Sequence, residues 1–188
     1  QTWSVPDTIQ YRYLAFRNPW SAQLMPNGIS IAEGPGYQIQ QAIYAVIAGG
    51  VTGTGIGMGS PQFVPLAHSD FILAAVVEEM GMAAGAAILI LYAVMVLRIF
   101  RLVLLLPREQ VFERLLLAGI GVHFFAQAFV MAGGTFNLIP LTGVTLPFLS
   151  MGGMALMVNL FEVGLVLVLA QRAERLGAPA VGAEGSLK

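Results

Sequence analysis

The chain has 188 residues, 57% hydrophobic and only 10% charged, with a mean hydropathy of +0.78, whereas an ordinary soluble domain carries about 25% charged residues. That excludes a soluble globular protein. Nine Lys and Arg stand against ten Asp and Glu, a net charge of -1, so no basic field exists to neutralise phosphates and nucleic acid is excluded as a partner. Cysteine is absent and the only histidines are His68 and His123, which removes disulfide frameworks and thiolate metal sites. The chain starts at Gln1 without a secretory pattern and reads as the C-terminal piece of something longer.

Taken in order, residues 1–36 mix Trp3, Tyr11, Tyr13, Phe16 and Trp20 with Arg12 and Arg17, a composition suited to the headgroup layer. They are expected to form a large extracellular loop. Tyr37 to Ala48 has helix-compatible composition, but Gly49, Gly50, Gly53, Gly55, Gly57 and Gly59 follow, each costing a helix roughly 1 kcal/mol. Residues 37–69 therefore predict a short helix, re-entrant or interfacial, and a glycine-rich turn, with irregular backbone held against protein or water.

Three apolar windows match the roughly 20 residues a bilayer needs, the third carrying one acid, Glu162. Met80 to Leu97, extended backwards by Phe71 to Val77 across Glu78 and Glu79, predicts one long helix. Leu115 to Asn137 and Met151 to Ala170 predict two more. The fold expected is an all-α polytopic membrane protein with a three-span region over residues 70–171. Basic residues that flank spans stay cytoplasmic, and Arg98, Arg101, Arg108 and Arg114 fall between the first two spans while Arg172, Arg175 and Lys188 follow the third. The 98–114 loop and the tail 172–188 are thus expected inside, and residues 1–70 and about 138–150 outside. The tail from Gly177 has the composition of a disordered segment.

The outward segments hold the candidate chemistry. Arg12 and Arg17 with the aromatics read either as an interfacial anchor or as a site for an anionic lipid head, since the guanidinium fork matches pyrophosphate. Asp70 is placed to cap the first span. Glu78, roughly 12 Å further along the axis, and Glu79 are candidate intramembrane groups facing protein or a cavity. A metal site from His68, Asp70 and a glutamate is the weaker reading, because the ligands are so few. The glycine run has no Lys-Ser/Thr and no dinucleotide spacing, so it does not cradle phosphate. Pro140 and Pro147 mark an ordered loop before the third span. Glu162 and Asn159 on that span are expected to meet His123 or Gln127 on the second through interhelical hydrogen bonds.

Several segments together resemble the SEDS family (shape, elongation, division and sporulation), the group of FtsW, RodA and SpoVE. They are Asn18-Pro19-Trp20, Gly36-Tyr37-Gln38 with Gln41, Gly49-Gly50, Gly53-x-Gly55-x-Gly57, Pro65-x-x-His68-x-Asp70-Phe71-Ile72, Glu78-Glu79-x-Gly81, and Pro140-x-Thr142-Gly143-x-x-Leu146-Pro147-Phe148-x-Ser150-x-Gly152-Gly153. The match runs in order over about residues 12 to 170. It implies the last large extracellular loop and last three spans of a multi-pass protein of the bacterial cytoplasmic membrane, with its C-terminus inside. The implied activity is a peptidoglycan glycosyltransferase polymerising lipid II in cell division or elongation, partnered by a class B penicillin-binding protein. No cofactor is firmly implied; a divalent cation is the one candidate.

On that resemblance Arg12, Arg17, Trp20, Tyr37, Gln38, His68 and Asp70 are the expected substrate-binding residues. The family usually carries an essential Asp two residues after the Trp, but this chain reads Trp20-Ser21-Ala22. Glu33 is the only acid between Trp20 and Gly36 and becomes the candidate catalytic base. Met131, where Asn is common, and Met154-Ala155, where Ser-Ser is common, are further departures. Two other functions stay open: a noncatalytic scaffold of the cell-wall machinery, favoured by Ala22, and a transporter of a lipid-linked sugar, favoured by the acidic pair and the glycine-broken helix.

Overall fold

In the computed structural model, residues 7–25, 27–59, 71–140 and 142–177 are described. Among the described residues five helices follow one another: α1 (Asp7–Arg17), α2 (Pro35–Gly49), α3 (Ile72–Leu105), α4 (Val111–Thr135) and α5 (Gly153–Gly177). The last three are long and apolar enough to cross a membrane. Their outer faces expose Leu91, Leu97, Leu104, Phe112, Leu115, Phe129 and Phe161, as expected where the surrounding solvent is acyl chain and every backbone bond is made within the helix.

Where the three spans meet at one end, Val96, Ile99 and Leu106 pack with Leu117, Ile120 and Phe124 and with Leu169 and Ala173. The turn between α3 and α4 is short because Pro107 cannot continue the helix. Arg114 Nε donates to the Val103 carbonyl at 3.1 Å, and Arg172 pairs with Glu113 at 3.1 Å. These two bonds bring basic residues of the 98–114 segment and of α5 to the same end of the bundle. At the opposite end Leu73, Ala128, Met131 and Leu146 form a second cluster. There the Tyr92 hydroxyl donates to the Pro147 carbonyl, and Leu146 N donates to Ser150 Oγ at 2.8 Å. The loop between α4 and α5 is ordered by these bonds.

Two features depart from the expected elements. The 1–36 segment is not simply loop: α1 occupies its middle and a hairpin follows, packed on α2 through Ala15, Ile31 and Ile39. In addition, α3 is not one continuous rod, because Gly81 sits at φ 84, ψ 166 inside it. That region is open essentially to glycine alone, which the sequence supplies at Gly81. Met82 to Leu105 alone rises about 36 Å, enough to span. The break therefore leaves Glu78 and Glu79 on the short N-terminal piece of α3. The cap position of α3 falls on Phe71, one residue after the Asp70 expected to serve it, and Asp70 itself lies outside the described residues.

Candidate functional site

Two backbone junctions build the end of the molecule that carries the candidate residues. The first joins α1, the hairpin and the start of α2. Ala32 N donates to Ser21 O at 3.0 Å, Ile31 N to Gln23 O at 2.9 Å and Met25 N to Ile29 O at 2.9 Å, with a bridge between Leu24 and Ser30. The hairpin turns at Asn27-Gly28, where Gly28 has φ 80, the left-handed backbone such turns require. Its register sets Ala22 across from Ile31 and Ala32, so position 22 and Glu33 lie at the same end of one short ladder.

The hairpin base is locked onto α2. Gly36 N donates to Ile31 O at 2.7 Å, and a Cβ at Gly36 would fall 2.2 Å from the Pro19 carbonyl oxygen, so only glycine permits this approach. Gln40 Nε2 donates to Pro19 O at 2.7 Å and to Ala32 O at 3.3 Å. The Asn-Pro-Trp and Gly-Tyr-Gln segments are thus two sides of one corner, with Trp20 and Tyr37 both exposed beside it and Gln38 half-buried. Gln40 was not among the expected residues, although the cluster of Gln38, Gln40 and Gln41 early in α2 was the available signal. Asn137 at the end of α4 donates to Phe16 O at 3.4 Å and sets the end of α1 against the span bundle.

Within this unit Glu33 is exposed. Its Oε2 accepts the Ser30 hydroxyl at 2.9 Å, while Ser30 Oγ accepts Glu33 N at 3.3 Å. Arg12 and Arg17 are exposed and, among the described residues, form no ion pair. The corner therefore offers a reachable carboxylate and two exposed aromatic rings, while Arg12 and Arg17 stand on α1 and, among the described residues, form no ion pair with Glu33. His68 and Asp70 lie outside the described residues.

The second junction is a crossing of two backbones. At the Gly81 break the N–H groups of Met82 and Ala83 leave the carbonyls of Glu78 and Glu79, their ordinary helical partners four residues back. Met82 N donates to Gly50 O at 2.9 Å and Ala83 N to Val51 O at 3.3 Å. In exchange, Thr54 N donates to Glu78 O at 2.9 Å and Gly55 N to Glu79 O at 3.0 Å. The glycine loop satisfies both donors and both acceptors that the break exposes, as buried backbone demands. A Cβ at Gly49 would lie 2.0 Å from Val77 O, at Gly53 2.3 Å from Glu79 O and at Gly81 2.2 Å from Val51 O. This explains the glycine spacing without any phosphate.

The crossing holds the acidic pair. Glu78 is buried at 8% exposure and Glu79 is half-buried, with both side chains against Gly59. Both thus pack on protein at the break. Among the described residues no three His, Asp or Glu side chains converge to hold a metal ion, and the His68 and Asp70 of the metal reading lie outside them. On the spans, His123 Nδ1 and Glu162 Oε2 are 2.9 Å apart, the interhelical bond expected between the second and third spans.

The profile of the FtsW/RodA/SpoVE family, described as cell cycle protein, matches residues 7–175. Peptidoglycan glycosyltransferase RodA of Mycobacterium tuberculosis is 39% identical over 143 residues, covering 76% of this chain and 30% of the relative. Probable peptidoglycan glycosyltransferase FtsW of Geobacter metallireducens is 38% identical over 163 residues, 86% of this chain and 40% of the relative. Stage V sporulation protein E of Bacillus subtilis is 37% identical over 158 residues, 83% of this chain and 40% of the relative. The chain spans between 30% and 40% of the length of these relatives.

Proposed function

Because the chain belongs to the FtsW/RodA/SpoVE family of cell cycle proteins, we propose that the protein it forms is a peptidoglycan glycosyltransferase that polymerises lipid II at the outer face of the bacterial cytoplasmic membrane. What supports this reading is the corner built by Pro19, Gly36 and Gln40, which carries Glu33, Trp20 and Tyr37, with Arg12 and Arg17 on the adjoining α1. It lies at the end of the bundle away from Arg108, Arg114 and Arg172. Basic flanks stay cytoplasmic, so in this reading the corner faces outward, where the lipid-linked sugar is delivered, and the C-terminus is inside.

In the reaction a sugar hydroxyl loses its proton while its oxygen attacks an anomeric carbon, and the lipid pyrophosphate departs. Glu33 takes the proton once it releases the Ser30 hydroxyl, which leaves a carboxylate oxygen open to the acceptor sugar. Arg12 and Arg17, exposed and uncommitted, offset the charge that develops on the departing pyrophosphate. Trp20 and Tyr37 offer flat apolar surfaces for sugar rings and the first isoprene units. His68 and Asp70 belong to the same proposed binding set. A class B penicillin-binding protein that cross-links the nascent glycan is the partner this activity calls for.

The test is polymerisation of purified lipid II by the full-length protein, alone and with its cognate class B penicillin-binding protein. Glycan polymer above the level given by an Arg12→Ala, Arg17→Ala double variant supports the reading. Absence of polymer under both conditions, with lipid II still bound, would favour the noncatalytic scaffold that Ala22 permits.

A further inference from the structure

The spans carry an ionisable pair for which glycan polymerisation has no use. His123 stands 12 residues from either end of α4 (Val111–Thr135), about 18 Å by helical rise, and so at the middle of its span. Glu162 meets it from α5 at 2.9 Å, with side chains 39% and 18% exposed respectively. Ionisable groups at this depth are costly and are retained for a function more often than for packing. The two helices run antiparallel, so one turn towards the α4–α5 loop brings Gln127 level with Asn159. Asn159 is 2% exposed. Its Oδ1 and the Oε1 of Gln127 are both buried and accept no hydrogen bond from the described protein groups. Gln127 lies one turn from His123 and Asn159 one turn from Glu162, so helical spacing sets both buried acceptors on the faces that carry the pair, and buried acceptors call for a donor to serve them.

We propose that the α4–α5 seam is an intramembrane proton-binding site, in which His123 and Glu162 share one exchangeable proton while Gln127 and Asn159 hold a water, or hydrated proton, beside them. The balance is simple. With His123 neutral and Glu162 ionised the pair carries a net charge of -1. One added proton gives either imidazolium with carboxylate or imidazole with carboxylic acid, and both are net neutral. At 2.9 Å the two groups are close enough that an added proton belongs to the pair and not to either residue.

No other described side chain supplies that charge. On α3 the Tyr92 hydroxyl is engaged by Pro147, Arg98 and Arg101 are exposed, and Glu78 and Glu79 sit at the glycine crossing. On α4 and α5, Arg114 bonds Val103 O, and Glu113 is paired with Arg172.

The experiment is nuclear magnetic resonance of the full-length protein in nanodiscs, with ring nitrogens of histidine and side-chain carboxyl carbons of glutamate labelled, titrated across about pH 5 to 8. The expected result is one step in which His123 and Glu162 move together at a common midpoint. Glu162→Gln removes that step from His123, and replacing sodium by choline at constant ionic strength leaves the parent's step in place. A His123 and Glu162 pair that stays constant over the range is a fixed interhelical staple and overturns the proposal. So does a His123 step that moves without Glu162, which can be read in the parent even if Glu162→Gln does not fold. A step that shifts with sodium assigns the site to that ion instead and also overturns it.

Discussion

Thr54 donates both its backbone N–H and its hydroxyl to the carbonyl oxygen of Glu78, at 2.9 and 3.0 Å. That carbonyl is one of two that α3 gives up at Gly81, so a single residue of the glycine loop replaces a missing helical bond and fixes where the acidic pair sits. The loop is held by backbone alone at Gly49, Gly53 and Gly81, and side chains there have no room.

Gly81→Ala is therefore expected to cost at least about 1–3 kcal/mol from its backbone conformation, before the clash with Val51 O is added. Thr54→Val, which removes one of two donors to the same carbonyl, should cost about 0.5–1.5 kcal/mol. Thermal unfolding of the purified full-length protein checks the order. A Gly81→Ala variant that melts with the parent contradicts the crossing.

The corner under the candidate site gives a second expectation. Gly36→Ala drives a methyl into the Pro19 carbonyl and should abolish polymerisation while the spans stay folded. Gln40→Ala, which removes the donor to Pro19 O and Ala32 O, should weaken it less. Equal activity of Gly36→Ala and parent, measured on lipid II at equal expression, would separate the corner from catalysis.

Orientation is tested by a cysteine at Gln23, exposed on the hairpin. It should react with a membrane-impermeant thiol reagent added outside intact cells, and a cysteine at Arg108 should not. The reverse pattern turns the bundle over and removes the outward site.

Much of this architecture is written in the sequence. Apolar windows, the third with a single acid, located all three spans, since length and apolarity are the main requirement of a bilayer. The helix ends ran past Arg98 and Arg172, because long basic side chains at a span's end reach the headgroups while the helix continues. Gly81 was visible, but its partner Val51 was not: a backbone crossing between segments 30 residues apart leaves glycine at both sides and no record of which glycines meet. The hairpin did leave a local signal, Asn27-Gly28 between Leu24 and Ile29. An isolated ladder of so few residues reads in sequence as a long loop, and the core of Ala15, Ile31 and Ile39 is what stabilises it here. Glu33 was legible as the only acid in its segment. Its bond to Ser30 is a matter of turn geometry that composition does not reveal.

The most direct measurement is lipid II polymerisation by the full-length protein carrying Glu33→Gln, beside the parent and Ala22→Asp. Loss of a general base lowers the rate by about 10²–10⁴-fold. Glu33→Gln should fall by that order while membrane insertion and partner binding persist, and Ala22→Asp, set at the same end of the hairpin, should restore activity to Glu33→Gln when the two are combined. Full activity in Glu33→Gln would contradict the account. An inactive parent that Ala22→Asp brings to life would do so as well, and would make the native protein a scaffold.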